Sequence, residues 1–147
     1  MTTEGVLLVL RRLIDEVDES LSDYTDPELL AALSDARDAL EVQGITGFAA
    51  LAVGTDVTDD ETYGIVPEPS VQQAVILAYR AAVALLRQVY NAKVRRGELG
   101  GSWTSGLEGE STINTQRAYK EAVDDLERQA DGFVAILMAL RTGTRPQ

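Results

Sequence analysis

The stretch from Val71 to Arg96 restricts the fold more than any other part of this sequence. Val71, Ala74, Val75, Ala78, Tyr79, Ala82, Leu85, Leu86, Val89 and Tyr90 recur at helical spacing. Ile76, Leu77, Ala81, Val83 and Ala84 fill much of the opposite side. A helix that is apolar nearly all round is buried on several sides, so other elements have to pack around it. Its ends are marked. Ser70 is an N-cap residue, Lys93, Arg95 and Arg96 complement the negative end of the dipole, and Gly97 closes the helix. The spacing predicts a central helix over 71–96, with Tyr79, Leu86 and Val89 in the core.

The partners of that helix are legible on both sides of it. In segment 4–21, Val6, Leu10, Leu13, Val17 and Leu21 form a helical stripe that Leu7 and Ile14 widen. Asp15, Glu16, Asp18 and Glu19 are expected on its solvated face. A second helix opens at Asp26 as N-cap, with Pro27 at the first helical position and Glu28 at the positive end of the dipole. It runs along Leu29, Leu33, Ala36 and Leu40 and stops at Gly44. A fourth helix is expected from Asn114 to about Arg141 along Tyr119, Ala122, Leu126, Ala130, Phe133, Leu137 and Leu140. Its last turns, Phe133 to Leu140, are apolar on more than one face, a surplus that suits contact beyond the bundle.

Between the second and third helices the period changes. Phe48 to Val53 is a short apolar run between Gly47 and Gly54. The polar tip Thr55 to Glu61, the run Thr62 to Val66 and the stop Pro67-Glu68-Pro69 follow. The pattern predicts a small hairpin around an acidic turn, although the Ala-rich first run also suits a helix. Residues 97–113 are rich in Gly and Ser and are expected to form a loop of a length that is usually functional or disordered. The resulting expectation is an all-α, four-helix, bundle-like domain over 1–143. It carries a hairpin or extended insertion at 44–69 and a short basic tail at 144–147.

Composition removes whole classes of chemistry. With 0 Cys and 0 His, this chain builds no disulfide, zinc-thiolate site, Ser-His-Asp triad or His general base of its own. Asp124-Asp125 and Asp59-Asp60 are sequence neighbours that do not converge on one substrate. Gly101 to Gly106 has phosphate-loop spacing, but Leu107 and Glu108 stand where Lys and Ser or Thr are required. Asp56, Thr58 and Asp60 alternate like a calcium loop, but Glu61 and Pro67 occupy the Gly and bidentate Glu positions. No catalytic residue, metal or cofactor is expected. The early apolar run Val6 to Leu10 is too short to span a bilayer, and Arg11-Arg12 follow it rather than precede it. A soluble intracellular chain without membrane association is the expectation.

Charge is unevenly spread. The net charge is −11, yet residues 1–70 hold 3 basic and 16 acidic side chains, against 10 and 8 in 71–147. Such a division suits self-association or a charged partner, and acidic charge also keeps a small domain soluble. The single Trp, Trp103, lies in the Gly-rich segment, where it either packs on the domain's own core or anchors a partner.

Three stretches together resemble a known family. They are the acidic turn ending in Ile65-Val66-Pro67-Glu68-Pro69-Ser70, the Ala-rich helix closing with Lys93-Val94-Arg95-Arg96-Gly97, and the segment Gly101-Ser102-Trp103-Thr104-Ser105-Gly106 through Glu110-Ser111-Thr112-Ile113-Asn114. Their order is similar to that of the adaptor (head-completion) proteins at the head–tail connection of tailed bacteriophages, over roughly the whole chain to Leu140. The resemblance implies a helical, non-enzymatic protein of the virion neck, assembled in the host cytoplasm. It implies a dodecameric ring of self-contacts beneath the portal protein, a platform for the next neck or tail-completion protein, and a channel through which DNA passes without specific binding. The very short tail departs from family members whose tails reach into the portal. On this reading Trp103, Leu107, Phe133, Ile136, Met138, Arg141 and Arg145 are interface candidates. Of the two acidic clusters that could face the channel, Asp56, Asp59, Asp60 and Glu61 on the hairpin tip are favoured over Asp15, Glu16, Asp18 and Glu19 on the first helix, because a turn projects into a lumen. The alternative is a free-standing acidic helical protein-interaction or regulatory domain.

Overall fold

A computed structural model describes residues 1–21, 23–45, 47–96 and 106–141, with the side chains of 106–116 and 141 outside the description. The order is α1 (Thr3–Val17), a 3-10 turn (Glu19–Leu21), α2 (Asp26–Val42), β1 (Ala52–Gly54), β2 (Gly64–Val66), α3 (Val71–Arg95) and α4 (Gly106–Arg141). Four helices with one two-stranded antiparallel hairpin between α2 and α3 make up the described chain. As the all-round apolar pattern requires, α3 is the centre, packed by α1, α2 and α4. Leu77, Ala78, Ala81, Ala82 and Leu86 on α3 are fully buried, and the small alanines let the neighbouring helices come close. From α1, Val6, Leu10 and Ile14 reach this core, and from α2, Leu29, Leu30, Leu33 and Leu40. Tyr79 and Val89 are half-buried rather than enclosed, packed against the margin of the core.

Local signals account for most boundaries, and four differ from expectation. Asp18 takes extended backbone (φ −149°), so α1 ends at Val17 and the chain restarts as the 3-10 turn. Thr25, not Asp26, is the N-cap of α2: its hydroxyl accepts from the Glu28 amide while Glu28 returns to the Thr25 amide. Asp26 is instead held by Arg11. The first apolar run pairs only over Ala52–Gly54, and Phe48 to Leu51 form a turn that buries Phe48 and Leu51. α4 begins at Gly106, so Asn114 lies within the helix rather than at its start. Helix growth adds one bond per residue fixed, and Glu108 and Glu110 suit a helix start. The expected loop over 97–113 is thus helical from 106, and its remainder lies outside the described residues, as does the tail.

α3 and α4 run antiparallel in a register fixed by side chains. Tyr79 meets Phe133 edge-on at 5.2 Å, Arg80 binds Asp131 at 2.7 Å, Arg87 binds Asp124 and Glu127, and Tyr90 stacks on Tyr119 at 5.9 Å. With Tyr90 opposite Tyr119, the first turns of α4 run about 12 Å past the end of α3.

Candidate functional site

Two surface features stand out, an acidic tip and an apolar groove. The tip is built on a hairpin paired Ala52 to Val66, Val53 to Ile65 and Gly54 to Gly64. Gly64 has φ +92°, and a Cβ there would lie 2.8 Å from Thr3 Oγ1, the atom that accepts the Ile65 amide at 3.0 Å. A Cβ on Gly54 would overlap the Thr62 carbonyl oxygen at 1.9 Å. The base is gripped from α2 by Arg37. Its Nε donates to the carbonyls of Phe48 and Leu51 (3.1 and 2.8 Å), and a terminal nitrogen donates to that of Ala49 (2.8 Å). Gln73 of α3 adds a bond to the Gly47 carbonyl at 2.8 Å.

On that base, residues 55–62 are all exposed. The turn is held internally: the Asp56 carboxylate accepts from the Thr58 amide and hydroxyl, and the Asp59 carboxylate from the Glu61 amide. The Thr58 bonds keep the Asp56 carboxyl below the usual carboxylate range. Among the described residues no cation pairs with Asp56, Asp59, Asp60 or Glu61. The structure therefore places the four proposed channel residues on one exposed turn with no cation paired to any of them.

The groove lies where the start of α3 meets the end of α4. Val71, Gln72, Val75 and Ile76 line one side and Phe133, Ile136 and Leu137 the other, around a cavity of about 170 Å³. Val71 and Ile136 are 61% and 54% exposed, values far outside the core, so the groove is open. Leu140, one turn beyond Ile136, is exposed as well.

Of the interface candidates, Phe133 and Ile136 thus share one site. Met138 is exposed but falls about 200° round the helix from Ile136, away from the groove. Leu107 and Arg141 belong to α4, with side chains outside the description, and Trp103 and Arg145 lie outside the described residues altogether. Sequence reasoning missed Val71 and Val75 as surface, because one helix read alone does not show where its neighbour stops covering it. It also missed Arg37, whose carbonyl partners carry no sequence signal.

A third cluster is buried. Asp18, assigned to the solvated face of the first helix, is 9% exposed and accepts from Tyr119 Oη at 3.0 Å and from the Ser20 amide at 3.1 Å, with Lys93 Nζ at 3.3 Å. The correction follows from the end of α1 at Val17, which turns Asp18 inward. Burial disfavours its charge, but the bonds from Ser20, Tyr119 and Lys93 outweigh that and hold its carboxyl below the ordinary range. Burial and the adjacent Asp18 push the Tyr119 hydroxyl up, so it stays a donor. The cluster ties α1, α3 and α4 together. Among the described residues no three acidic side chains converge as a metal site would need, and no helix is long and apolar enough to cross a membrane. No protein-family model, curated protein or solved structure matches the chain.

Proposed function

We propose that this chain is a non-enzymatic structural adaptor of the head–tail connection of a tailed bacteriophage. Copies of it form a ring that docks beneath the portal protein, extends the DNA channel and offers a platform to the next neck protein. The observation that carries the reading is the acidic tip: four carboxylates without a cationic partner, displayed on a turn that two helices and the first residues of α1 hold in place. A surface that must let DNA slide past benefits from repelling phosphate, and a braced turn projects such charge into a lumen while the helices form the wall. The open groove on α3 and α4 favours the second reading, a free-standing protein-interaction domain, as it provides a docking face with or without a ring.

The experiment replaces Asp56, Asp59, Asp60 and Glu61 together with Lys. All four are exposed, so the helices keep their fold. Loss of the Asp56 and Asp59 bonds within the turn costs about 1 kcal/mol each, and the other two sites change stability by no more than about 0.5 kcal/mol. Assembled wild-type rings release duplex DNA at every salt concentration. Lys-tip rings retain it at low salt and lose it as salt rises, because many basic tips then act on one backbone. Tight DNA binding by the wild-type ring, or no change in the variant, removes the channel-lining role.

A further inference from the structure

We propose that the groove between the start of α3 and the end of α4 is the docking site for the Trp103 segment of a second copy of this chain. The inference rests on the self-assembling reading above and names the contact through which assembly proceeds.

The groove asks for a large apolar side chain. Its lining by Val71, Val75, Ile76, Phe133, Ile136 and Leu137 offers no charge, and its 170 Å³ suits one or two bulky side chains. Two segments of the chain lie outside the described residues and are long enough to be occupants. The tail 142–147 begins beside the groove, directly after α4, but Thr142-Gly143-Thr144-Arg145-Pro146-Gln147 holds nothing that would fill an apolar cavity. Segment 97–105 has the right chemistry, with Leu99 and the only Trp of the chain, and Gly on several sides to let it enter a pocket.

That segment cannot serve its own groove. Trp103 is joined to Gly106, the first residue of α4, and the chain between them spans at most about 11 Å. Phe133 lies about 40 Å further along the same helix. The start of α4 and the groove lie at opposite ends of the antiparallel α3–α4 pair, so donor and acceptor meet only between copies. Such a contact is head-to-tail: each copy gives its segment to one neighbour and receives another's in its groove. Heterologous contacts of this kind close into rings or run on as filaments, and they do not stop at a symmetric dimer.

A complementation experiment on the full chain tests this. Trp103→Ala removes the donor and leaves the groove. Ile136→Arg blocks the groove and leaves the donor; Val71→Arg is its replacement should Ile136→Arg lose its helical circular dichroism. Wild-type chain self-associates in sedimentation velocity, and the single Trp emission shifts to the blue as it does so. Each variant alone associates at least about thirtyfold more weakly, as loss of a central Trp anchor does. Mixed in equal amounts, Trp103→Ala and Ile136→Arg recover one contact and stop at two chains, since the remaining ends of that pair are disabled. A mixture that stays monomeric overturns the contact. Rings that persist in both folded variants also overturn it while leaving the adaptor reading standing, and a wild-type chain that forms no assembly at any concentration overturns both.

Discussion

Asp18 shows how a single residue escapes a periodicity argument. On the helical pattern of 4–21 it belongs with Asp15, Glu16 and Glu19 on the solvated side, and those three are indeed exposed. What moves Asp18 inward is a backbone change that the pattern does not encode, and a tyrosine more than a hundred residues away supplies its hydrogen bond. Its carboxyl is held below the ordinary range, so it stabilises the fold fully above the unfolded value of about 3.9, and that stabilisation is lost as pH falls through the depressed folded value. Asp18→Asn therefore costs about 1–3 kcal/mol at neutral pH in urea unfolding, through loss of charged hydrogen bonds. The gap between wild type and variant narrows as pH falls below the unfolded value. A gap that is constant or widens in acid contradicts the assignment. Arg37 teaches the same lesson from the other side: three backbone carbonyls hold its guanidinium, and carbonyls are present at every position of every sequence.

The elements themselves were far more legible. The buried centre of α3 at Ala74, Ala78, Ala82 and Leu86, the N-cap Ser70 and the stop at Gly44 stand as the sequence predicts, because each rests on local spacing or local hydrogen bonding, whereas Tyr79 and Val89 are only half-buried. The hairpin was readable as two apolar runs around a polar turn, but its register was not, since pairing depends on which carbonyl approaches which glycine. Gly54 faces the Thr62 carbonyl so closely that Gly54→Ala must open the hairpin. The variant keeps its helical circular dichroism, and overpacking costs about 1–3 kcal/mol. Amide exchange over 52–54 and 64–66 rises by about tenfold or more, while exchange in α3 is unchanged. Unchanged hairpin protection contradicts the close approach. The start of α4 was missed for a different reason. Gly and Ser suggest a loop by composition, whereas a helix already formed downstream extends through them at the cost of one residue at a time.

At the scale of the molecule, the acidic and basic-leaning halves of the sequence do not become two separate faces. Arg80 and Arg87 of α3 pair with carboxylates of α4, Arg128 pairs with Asp125 on its own helix, and Lys93 of α3 pairs with Asp18. Among the features left for a partner are the unpaired acidic tip, which the sequence already marks as a polar turn, and the uncovered apolar groove, which shows as a site only once α4 lies against α3. The apolar surplus of 133–140 was legible as excess, and the structure gives it a place, a shape and one set of neighbours. The account rests on the claim that copies of this chain assemble into a closed ring. The most direct test is the mass and symmetry of the full chain at increasing concentration, by light scattering on the eluting species and negative-stain images of the same fractions. The account predicts closed rings of one subunit type around an open lumen, and a chain that stays monomeric, or grows only into open filaments, contradicts it.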